Sequence, residues 1–372
     1  MKILIAPDKF KHSLSAQEVC QVISKTLLEE SSSLEIESLP MADGGEGSAE
    51  ILALQQKAEA VEVEVHDPMM RKIKSQYFIK DKTAFIEMAV ASGLQLLKAA
   101  EQNVLETTSF GTGELIQDAI KKGCQNIILC IGGSATSDGG VGMAEALGYH
   151  FLDEKGHTFL PTAQSLHKIA SIEMPEENIL EGINFSVLTD VNNPLTGKNG
   201  ATFQYAVQKG ASERDLPILD KGMKHLQSLI EKQFNFNIDK YPGAGASGGM
   251  GGGSTFFLNA DLHSGIGYIA DALNLEEKVK KADYVISGEG KLDEQSFKGK
   301  VISGVAEACR RNGKPIYLIV GINILDEKLP SLIKSVWSLT TIAGNQESAI
   351  NSPKIWLEKA ADELYKKLKT QE

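Results

Sequence analysis

Short apolar segments rich in β-branched residues alternate with longer helical patterns along most of the chain. Segment 127–131 follows a helical pattern that closes with Gly123, and segment 316–320 follows one that closes with Gly313 and Pro315. A glycine just past a helix, with an apolar strand soon after, is typical of a crossover helix between parallel strands. The sequence therefore predicts an α/β fold built on parallel strands.

Two helix starts carry local signals. Ser15 and Glu18 have the spacing of a capping box, which predicts a helix beginning near Ala16. Near the end of the chain, Ser352 precedes Pro353 as an N-cap precedes a proline in the first helical turn. We predict that the last helix begins at this pair.

The chain has 372 residues, more than one hydrophobic core usually organises, which predicts two lobes with an active-site cleft between them. Segment 61–91 differs from the rest, because alternating apolar residues and turn residues indicate antiparallel strands. No repeat or low-complexity linker separates the lobes. We therefore expect a discontinuous domain, 1–60 plus 264–372, and a second α/β domain, 61–263, inserted into it.

Composition excludes some classes of partner. The net charge of −11, with no basic run, argues against nucleic acid and anionic membranes. The four cysteines form no C-x-x-C pair and are interpreted as buried apolar residues of a reducing compartment. Segment 1–6 resembles a strand and is too short for a signal sequence, so a cytoplasmic location is expected.

Glycine and charged residues cluster directly after the predicted strands. The clusters are Asp8-Lys9, segment 43–47, segment 132–140, Asp190 and segment 288–293. In parallel sheets the ligand crevice lies outside the carboxyl ends of the strands, so these loops should converge. Glycines permit close backbone approach, carboxylates suit Mg²⁺, and lysines suit phosphate. This inventory favours phosphoryl transfer, in which positioning and charge stabilisation dominate.

Three other motifs carry less weight. Segment 243–248 matches G-x-G-x-x-G, but the residues before it are polar and end in a proline, whereas a dinucleotide fingerprint follows a strand. Segment 251–255 lacks the lysine of a P-loop. The seven histidines show no metal-binding spacing and receive no catalytic role.

Five segments together resemble the bacterial type I glycerate kinase family, in order and in spacing. They are residues 5–16, 40–47, 132–140, 190–195 and 287–293. The resemblance covers essentially the whole chain. It implies an ATP- and Mg²⁺-dependent kinase that forms 2-phosphoglycerate, with a Rossmann-like domain and a second α/β domain. The chain departs from the family pattern at His12, where a glycine is expected, and at Met69-Met70, where Leu-Gly is expected.

Glycerate has one carboxylate and two hydroxyls, which suggests a role for each polar group. We expect Lys9, Ser13, Arg71 and Asp43 to bind the substrate, and Asp190 to accept the hydroxyl proton. The nucleotide is assigned to Gly132, Gly133, Ser134, Ala135 and Thr136, expected to open a helix, and to Gly288 and Gly290. Asp138, Glu289 and Asp293 are the candidate Mg²⁺ ligands, and Lys291 is expected to neutralise charge on the transferred group.

Two other function classes stay open at this stage. A nicotinamide-dependent hydroxy-acid dehydrogenase would share the fold, and a non-catalytic hydroxy-acid sensor would bind glycerate without releasing ADP. The sequence leaves open which hydroxyl is phosphorylated, how strictly glycerate is preferred, and whether the chain forms a homodimer.

Overall fold

The protein was analysed as a computed structural model that describes residues 1–11, 13–325 and 329–370. His12 lies outside the described residues. The strands, in chain order, are β1 (Lys2–Ile5), β2 (Glu35–Ser38), β3 (Glu59–His66), β4 (Lys72–Lys80), β5 (Thr83–Glu87), β6 (Asn126–Cys130), β7 (His150–Leu152), β8 (Ser171–Glu173), β9 (Asn184–Thr189), β10 (Asp261–Ser264), β11 (Tyr284–Ser287), β12 (Lys291–Leu292), β13 (Ile316–Val320), β14 (Ile322–Asn323) and β15 (Ile333–Ser338).

Helices fill most of the connections between these strands. The α-helices are α1 (Ala16–Glu30), α2 (Ser48–Gln56), α3 (Ala89–Ser92), α4 (Phe110–Lys121), α5 (Val141–Ala146), α6 (Ala201–Tyr205), α7 (Leu216–Phe234), α8 (Ala246–Phe257), α9 (Gly265–Ala272), α10 (Leu275–Lys281), α11 (Val301–Asn312), α12 (Leu339–Ala343), α13 (Gln346–Asn351) and α14 (Pro353–Lys369). Short 3₁₀ helices lie at Leu94–Leu96, Ala99–Glu101, Ala163–Lys168, Val207–Lys209, Ile238–Lys240 and Glu294–Phe297. Among the described residues, none of the helices combines the length and apolar character that crossing a bilayer requires.

The chain divides into two compact units, and the second interrupts the first. The first unit consists of residues 1–43 and 266–372, and the second of residues 44–265. The sequence analysis had set the first boundary at residue 60. The structure assigns 44–60 to the second unit because α2 packs on β4 and β5, and β3 pairs with β4.

The first unit contains a five-stranded sheet with the order β15-β13-β11-β1-β2, in which every pairing is parallel. Helices α1 and α14 pack together, and their apolar faces bury Ile3, Ile5 and Tyr317 of the sheet. Leu4 alternates with Ile3 and Ile5 and so points to the opposite face. Helices α10 and α11 contact each other and strands β1 and β11. This is the parallel α/β architecture that the sequence predicts.

The second unit contains a six-stranded sheet with the order β10-β9-β6-β5-β4-β3. Strands β5, β6, β9 and β10 are mutually parallel, whereas β4 runs antiparallel to both β3 and β5. The core of this unit joins Ile86, Leu129 and Val187 of the strands to Leu115 and Ile116 of α4. The predicted antiparallel segment is therefore the β3–β4 hairpin at one side of a mixed sheet.

Several local predictions hold in the structure. The Ser15 hydroxyl accepts a hydrogen bond from the Glu18 amide, and the Glu18 carboxylate accepts one from the Ser15 amide, so the predicted capping box starts α1 at Ala16. Helix α14 begins at Pro353 with Ser352 as its N-cap. All four cysteines are buried, and none of them forms a disulfide. These features are local in sequence, which is why they can be read without tertiary information.

Candidate active site

The first unit has a topological switch point between β1 and β11. The chain leaves β1 toward β2 on one side, whereas β11 connects to β13 on the other side. Ligands of open α/β sheets bind at such a point, outside the carboxyl ends of the strands. Asp8 follows β1 and Glu289 follows β11, and the Asp8 amide donates to the Gly288 carbonyl at 2.8 Å. The two acidic residues therefore flank the position where this fold class places ligands.

Four carboxylates interact electrostatically at this edge, those of Asp8, Asp43, Glu289 and Asp293. Desolvation and the nearby charge of Asp43 raise the pKa of Asp8 to about 8. Burial also raises the pKa of Glu289 to about 7, with smaller contributions from Asp293 and Asp43. Glu289 is 5% exposed, and its Oε1 has no hydrogen-bond partner among the described residues. Such a cluster favours the binding of a cation, since a cation relieves both the repulsion and the unpartnered oxygen.

The other predicted residues of this unit differ in accessibility. Lys9 is half-buried, and its amide donates to Asp8 Oδ1 at 2.7 Å. Ser13 is exposed, and its amide donates to the Phe10 carbonyl in a tight turn. Lys291 Nζ lies 3.1 Å from Asp293 Oδ2, and the same aspartate accepts from the Gln295 amide. Asp293 thus serves as the N-cap of the following 3₁₀ helix.

Gly288 and Gly290 contact backbone atoms closely. A Cβ on Gly288 would lie 1.8 Å from the Ile319 carbonyl oxygen, and a Cβ on Gly290 would lie 3.0 Å from the Lys11 amide nitrogen. Gly288 is also buried, and its carbonyl is bound to Asp8. The structure therefore gives Gly288 a packing role at the sheet edge, whereas Gly290 is half-buried and remains accessible.

The second unit also gathers predicted residues at one edge of its sheet. Asp190 follows β9 and Gly132 comes two residues after β6, and these neighbouring strands pair in parallel. Glu87 ends β5, the next strand, and is 7% exposed. Arg71 immediately precedes β4. Because β4 runs antiparallel to β5, Arg71 lies at the same edge of the sheet as Glu87. Along this edge, the strands β9, β6, β5 and β4 thus carry, in that order, a carboxylate, a glycine turn, a second carboxylate and a guanidinium.

Segment 44–47 lies across this edge. A Cβ on Gly132 would stand 2.5 Å from the Gly45 Cα, so the two glycine backbones touch. The Gly47 amide donates to Glu87 Oε2 at 2.8 Å. Glu87 therefore fixes the glycine-rich segment over the ends of the strands. Glu87 is absent from the residues predicted from the sequence, although it ends a strand much as Asp190 follows one.

A family model described as the glycerate kinase family matches residues 3–369. The chain belongs to this family. It is 44% identical to glycerate 2-kinase of Escherichia coli K12, over 86% of this chain and 85% of that protein. It is 39% identical to a glycerate kinase of Bacillus cereus, over 94% of this chain and 93% of that one. A crystal structure of a Salmonella typhimurium LT2 protein, assigned as glycerate kinase 2, matches with a TM-score of 0.83 and 37% identity, covering 100% and 99% of the two chains.

The predicted family, the α/β fold class and the enzyme class are thereby confirmed. The chain is a glycerate kinase, an enzyme that phosphorylates glycerate. The residues that perform this reaction are not given by the family name.

The loop after β6 differs from the expected glycerate kinase nucleotide loop. It was expected to open a helix at 132–136, but α5 begins only at Val141, with Gly140 as its N-cap. Gly132 is half-buried and Gly133 is exposed, whereas Ser134, Ala135 and Thr136 are buried. The Ala135 amide already donates to the Ser92 carbonyl at 2.9 Å. Of residues 132–136, the Gly132–Gly133 turn is therefore the part that is accessible.

Asp138 also has a different environment from the one expected of a metal ligand. The Asp138 side chain is fully buried. Its Oδ2 accepts hydrogen bonds from the Ser109 amide at 2.8 Å and from the Ser109 hydroxyl at 2.7 Å. The Gly140 amide donates to Asp138 Oδ1, and the Gly142 amide donates to Asp138 Oδ2. Burial raises the pKa of Asp138, and these four donors oppose that rise. We correct the ligand prediction for Asp138, because its oxygens are already used to brace the loop and the start of α5.

The substitution Asp138→Asn is expected to lower the free energy of unfolding by about 1–3 kcal/mol for each donor left without an acceptor. The amide nitrogen of asparagine would face donors that now bind a carboxylate. Urea denaturation measures this loss, with Ser109→Ala, which removes one of the four donors together with the acceptor of the Met143 amide, as a comparison. Unchanged stability together with a strongly raised Mg²⁺ requirement would instead support a ligand role.

Arg71 is engaged by two carboxylates of its own unit. Its Nε lies 2.6 Å from Asp67 Oδ2, and its NH1 lies 2.9 Å from Glu101 Oε1. The Asp67 carboxylate also accepts the amides of Met69 and Arg71, so the turn that carries the arginine is closed by that aspartate. Since Arg71 remains about half exposed, it is fixed in direction while still accessible.

Proposed function

We propose that this glycerate kinase transfers the γ-phosphoryl group of ATP to the 2-hydroxyl of D-glycerate, forming 2-phosphoglycerate and ADP. The observation that carries the proposal is the pairing of β6 with β9, which makes the Gly132–Gly133 turn and Asp190 neighbours at one sheet edge. A phosphate-binding turn beside a proton acceptor is the pair of functions that phosphoryl transfer to an alcohol requires.

Asp190 is proposed as the general base. Asp190 is half-buried and directly follows the buried strand β9, so the sheet fixes the position of its backbone. It would take the proton of the 2-hydroxyl as the hydroxyl oxygen bonds to the γ-phosphorus and the bond to the ADP oxygen breaks. The product proton then resides on Asp190 and passes to solvent. The amides of Gly132 and Gly133 would meet the phosphate oxygens during this step.

The substrate carboxylate needs cationic or hydroxyl donors. Lys9, Ser13 and Arg71 are proposed for this role, because each is accessible and each carries a suitable donor. Asp43 is proposed to accept a substrate hydroxyl. Lys291 is proposed to neutralise charge on the transferred group. Its ion pair with Asp293 is exposed and therefore weak, so the lysine can leave Asp293 to bind that group at little energetic cost.

Mg²⁺ is proposed as the required metal, and the first unit offers suitable residues. Glu289 has a buried, unpartnered carboxylate oxygen and interacts electrostatically with Asp8, so these two carboxylates would hold the ion. Among the described residues, no group of three or more metal-binding side chains is preassembled. Mg²⁺ keeps several waters and binds through one or two carboxylates together with substrate phosphates. When bound, Mg²⁺ supplies charge neutralisation to the triphosphate.

The dehydrogenase alternative receives no structural support. Segment 243–248 follows the 3₁₀ helix Ile238–Lys240 and enters α8, whereas the dinucleotide fingerprint follows a strand. Its glycines instead allow close packing, since a Cβ on Gly248 would lie 2.1 Å from the Thr136 carbonyl oxygen. Location in the cytoplasm and assembly as a homodimer remain predictions.

ADP release is expected only when ATP, a divalent cation and glycerate are all present. Unneutralised triphosphate would be repelled by the strand-end carboxylates and by the anionic acceptor. A coupled assay for ADP measures this, with samples lacking glycerate and samples containing excess EDTA as controls. Full ADP release in excess EDTA would contradict the requirement for a metal ion. Reduction of NAD on addition of glycerate would support the dehydrogenase alternative.

A further inference from the structure

Lys209 is a buried lysine of the second unit that has no role in the reaction described so far. It ends the 3₁₀ helix Val207–Lys209 and is 4% exposed. Its Nζ donates to Ser134 Oγ at 2.8 Å and to the Thr136 carbonyl at 2.6 Å. Both acceptors lie in the loop after β6. The lysine therefore joins two segments that are more than seventy residues apart in sequence.

Burying an ammonium group is unfavourable unless its contacts compensate for lost hydration. Burial lowers the pKa of Lys209 to about 7, and the charge of Asp138 opposes that lowering. Both acceptors are neutral oxygens, so an ammonium and a neutral amine can each donate to both. The contacts with the loop thus persist in either protonation state. What the lysine provides is a fixed geometry for the loop.

Several segments contact this loop: the Leu94 amide donates to the Gly133 carbonyl at 3.0 Å, the Ala135 amide donates to the Ser92 carbonyl at 2.9 Å, and Asp138 accepts from Ser109. Between β6 and α5 the loop contains no regular structure, and Gly133, Gly139 and Gly140 have positive φ angles. Before the glycine turn, the Ser247 hydroxyl donates to the Ile131 carbonyl. After the turn, Lys209 binds Ser134 and Thr136. The Gly132–Gly133 turn is therefore held by the side chains of Ser247 and Lys209 at its two ends and by the Leu94 amide at the Gly133 carbonyl.

We infer that Lys209 is a positioning residue for the Gly132–Gly133 turn. It holds the turn in the orientation that receives the phosphate groups of the nucleotide, without contacting the nucleotide itself. The inference rests on the proposed function, since that proposal assigns the turn to ATP. It adds a residue whose role cannot be read from the motif, because the side chain comes from a distant, buried segment.

The test compares Lys209→Met with Lys198→Met, a substitution of an exposed lysine in the same unit. Methionine keeps the length of the side chain and removes its donors. We expect Lys209→Met to raise KM for ATP about tenfold or more, because small displacements of a positioning loop have large kinetic effects. KM for glycerate should change much less, and Lys198→Met should match the parent enzyme. Assays are run well below the melting temperature of each variant.

A second variant keeps the test decisive if Lys209→Met does not fold. Ser134→Ala removes one of the two acceptors and leaves the Thr136 carbonyl, so it should raise KM for ATP by a smaller factor. In the double variant the two effects should not multiply, because both substitutions break the same contact.

The outcomes separate two failures. If the parent enzyme releases no ADP with glycerate, the proposed function fails whatever the variants do. If the parent is active and both variants keep its KM for ATP and its kcat, the positioning role of Lys209 is overturned. A lowered melting temperature with unchanged kinetics likewise assigns Lys209 to stability alone.

Discussion

Asp190→Asn is expected to lower kcat by about 10²–10⁴-fold while changing KM for ATP only slightly. Asparagine has the shape of aspartate and keeps its capacity to accept a hydrogen bond, but it cannot take a proton from the 2-hydroxyl. Steady-state kinetics with each substrate varied in turn separates the two parameters. Asp261→Asn is a matched control, since Asp261 is an exposed aspartate that begins the adjacent parallel strand β10, at the opposite edge of the sheet.

The metal dependence of the Asp190 variant distinguishes two chemical roles. A lost general base is not restored by more Mg²⁺, whereas a lost metal ligand is compensated in part by a higher metal concentration. Near-normal kcat at saturating substrates, with an unchanged melting temperature, would show that the assignment of Asp190 is wrong. Asp8 and Asp43, which also follow strands, are then the next candidates for the base.

Glu289→Gln is expected to have opposite effects on activity and on stability. The Mg²⁺ concentration for half-maximal activity should rise at least about tenfold, because the substitution removes a proposed anionic ligand. In the absence of metal the melting temperature should rise, because a neutral amide is less unfavourable to bury than a carboxylate and is not repelled by Asp8 and Asp43. Removing a functional charge that the fold accommodates at a cost is a common form of stability–activity trade-off.

The pH dependence of this stability difference has a definite sign. The pKa of Glu289 is about 7 in the folded protein and near 4.5 for an unperturbed glutamate. The parent protein therefore loses stability relative to Glu289→Gln as the pH rises from about 4.5 to 7, and the difference is full above that range. Glu294→Gln, an exposed glutamate of the next turn, should show no such change. Equal melting temperatures at pH 8 for parent and Glu289→Gln would contradict the repulsion.

Local signals in the sequence predicted much of the fold. The capping box at Ser15 and the proline after Ser352 each fix a helix start within one turn, so their reading needs no tertiary information. The strand-end rule located Asp190, Glu289 and Gly132 correctly at sheet edges. Parallel strands place their carboxyl ends together, and this geometry makes the rule transferable from sequence to structure.

The misassigned residues depend on contacts that are distant in sequence. Asp138 follows a glycine-rich turn and resembles a metal ligand by position, yet its oxygens are taken by Ser109, which lies 29 residues earlier. Ser134 to Thr136 were assigned to the nucleotide, but the chain turns inward there and Lys209 covers them. The sequence around Lys209 contains no pattern that predicts its contact with Thr136, 73 residues earlier in the chain. Such pairings arise only when the second unit folds.

The proposed product can be identified directly from a reaction of the enzyme with ATP, Mg²⁺ and D-glycerate. Proton-coupled phosphorus NMR distinguishes the two hydroxyls, because a phosphate on carbon 2 couples to one proton and a phosphate on carbon 3 couples to two. We predict a doublet from 2-phosphoglycerate that grows in step with ADP. A triplet from 3-phosphoglycerate would contradict the assignment of the 2-hydroxyl, and loss of ATP with inorganic phosphate as the sole new signal would contradict transfer to glycerate.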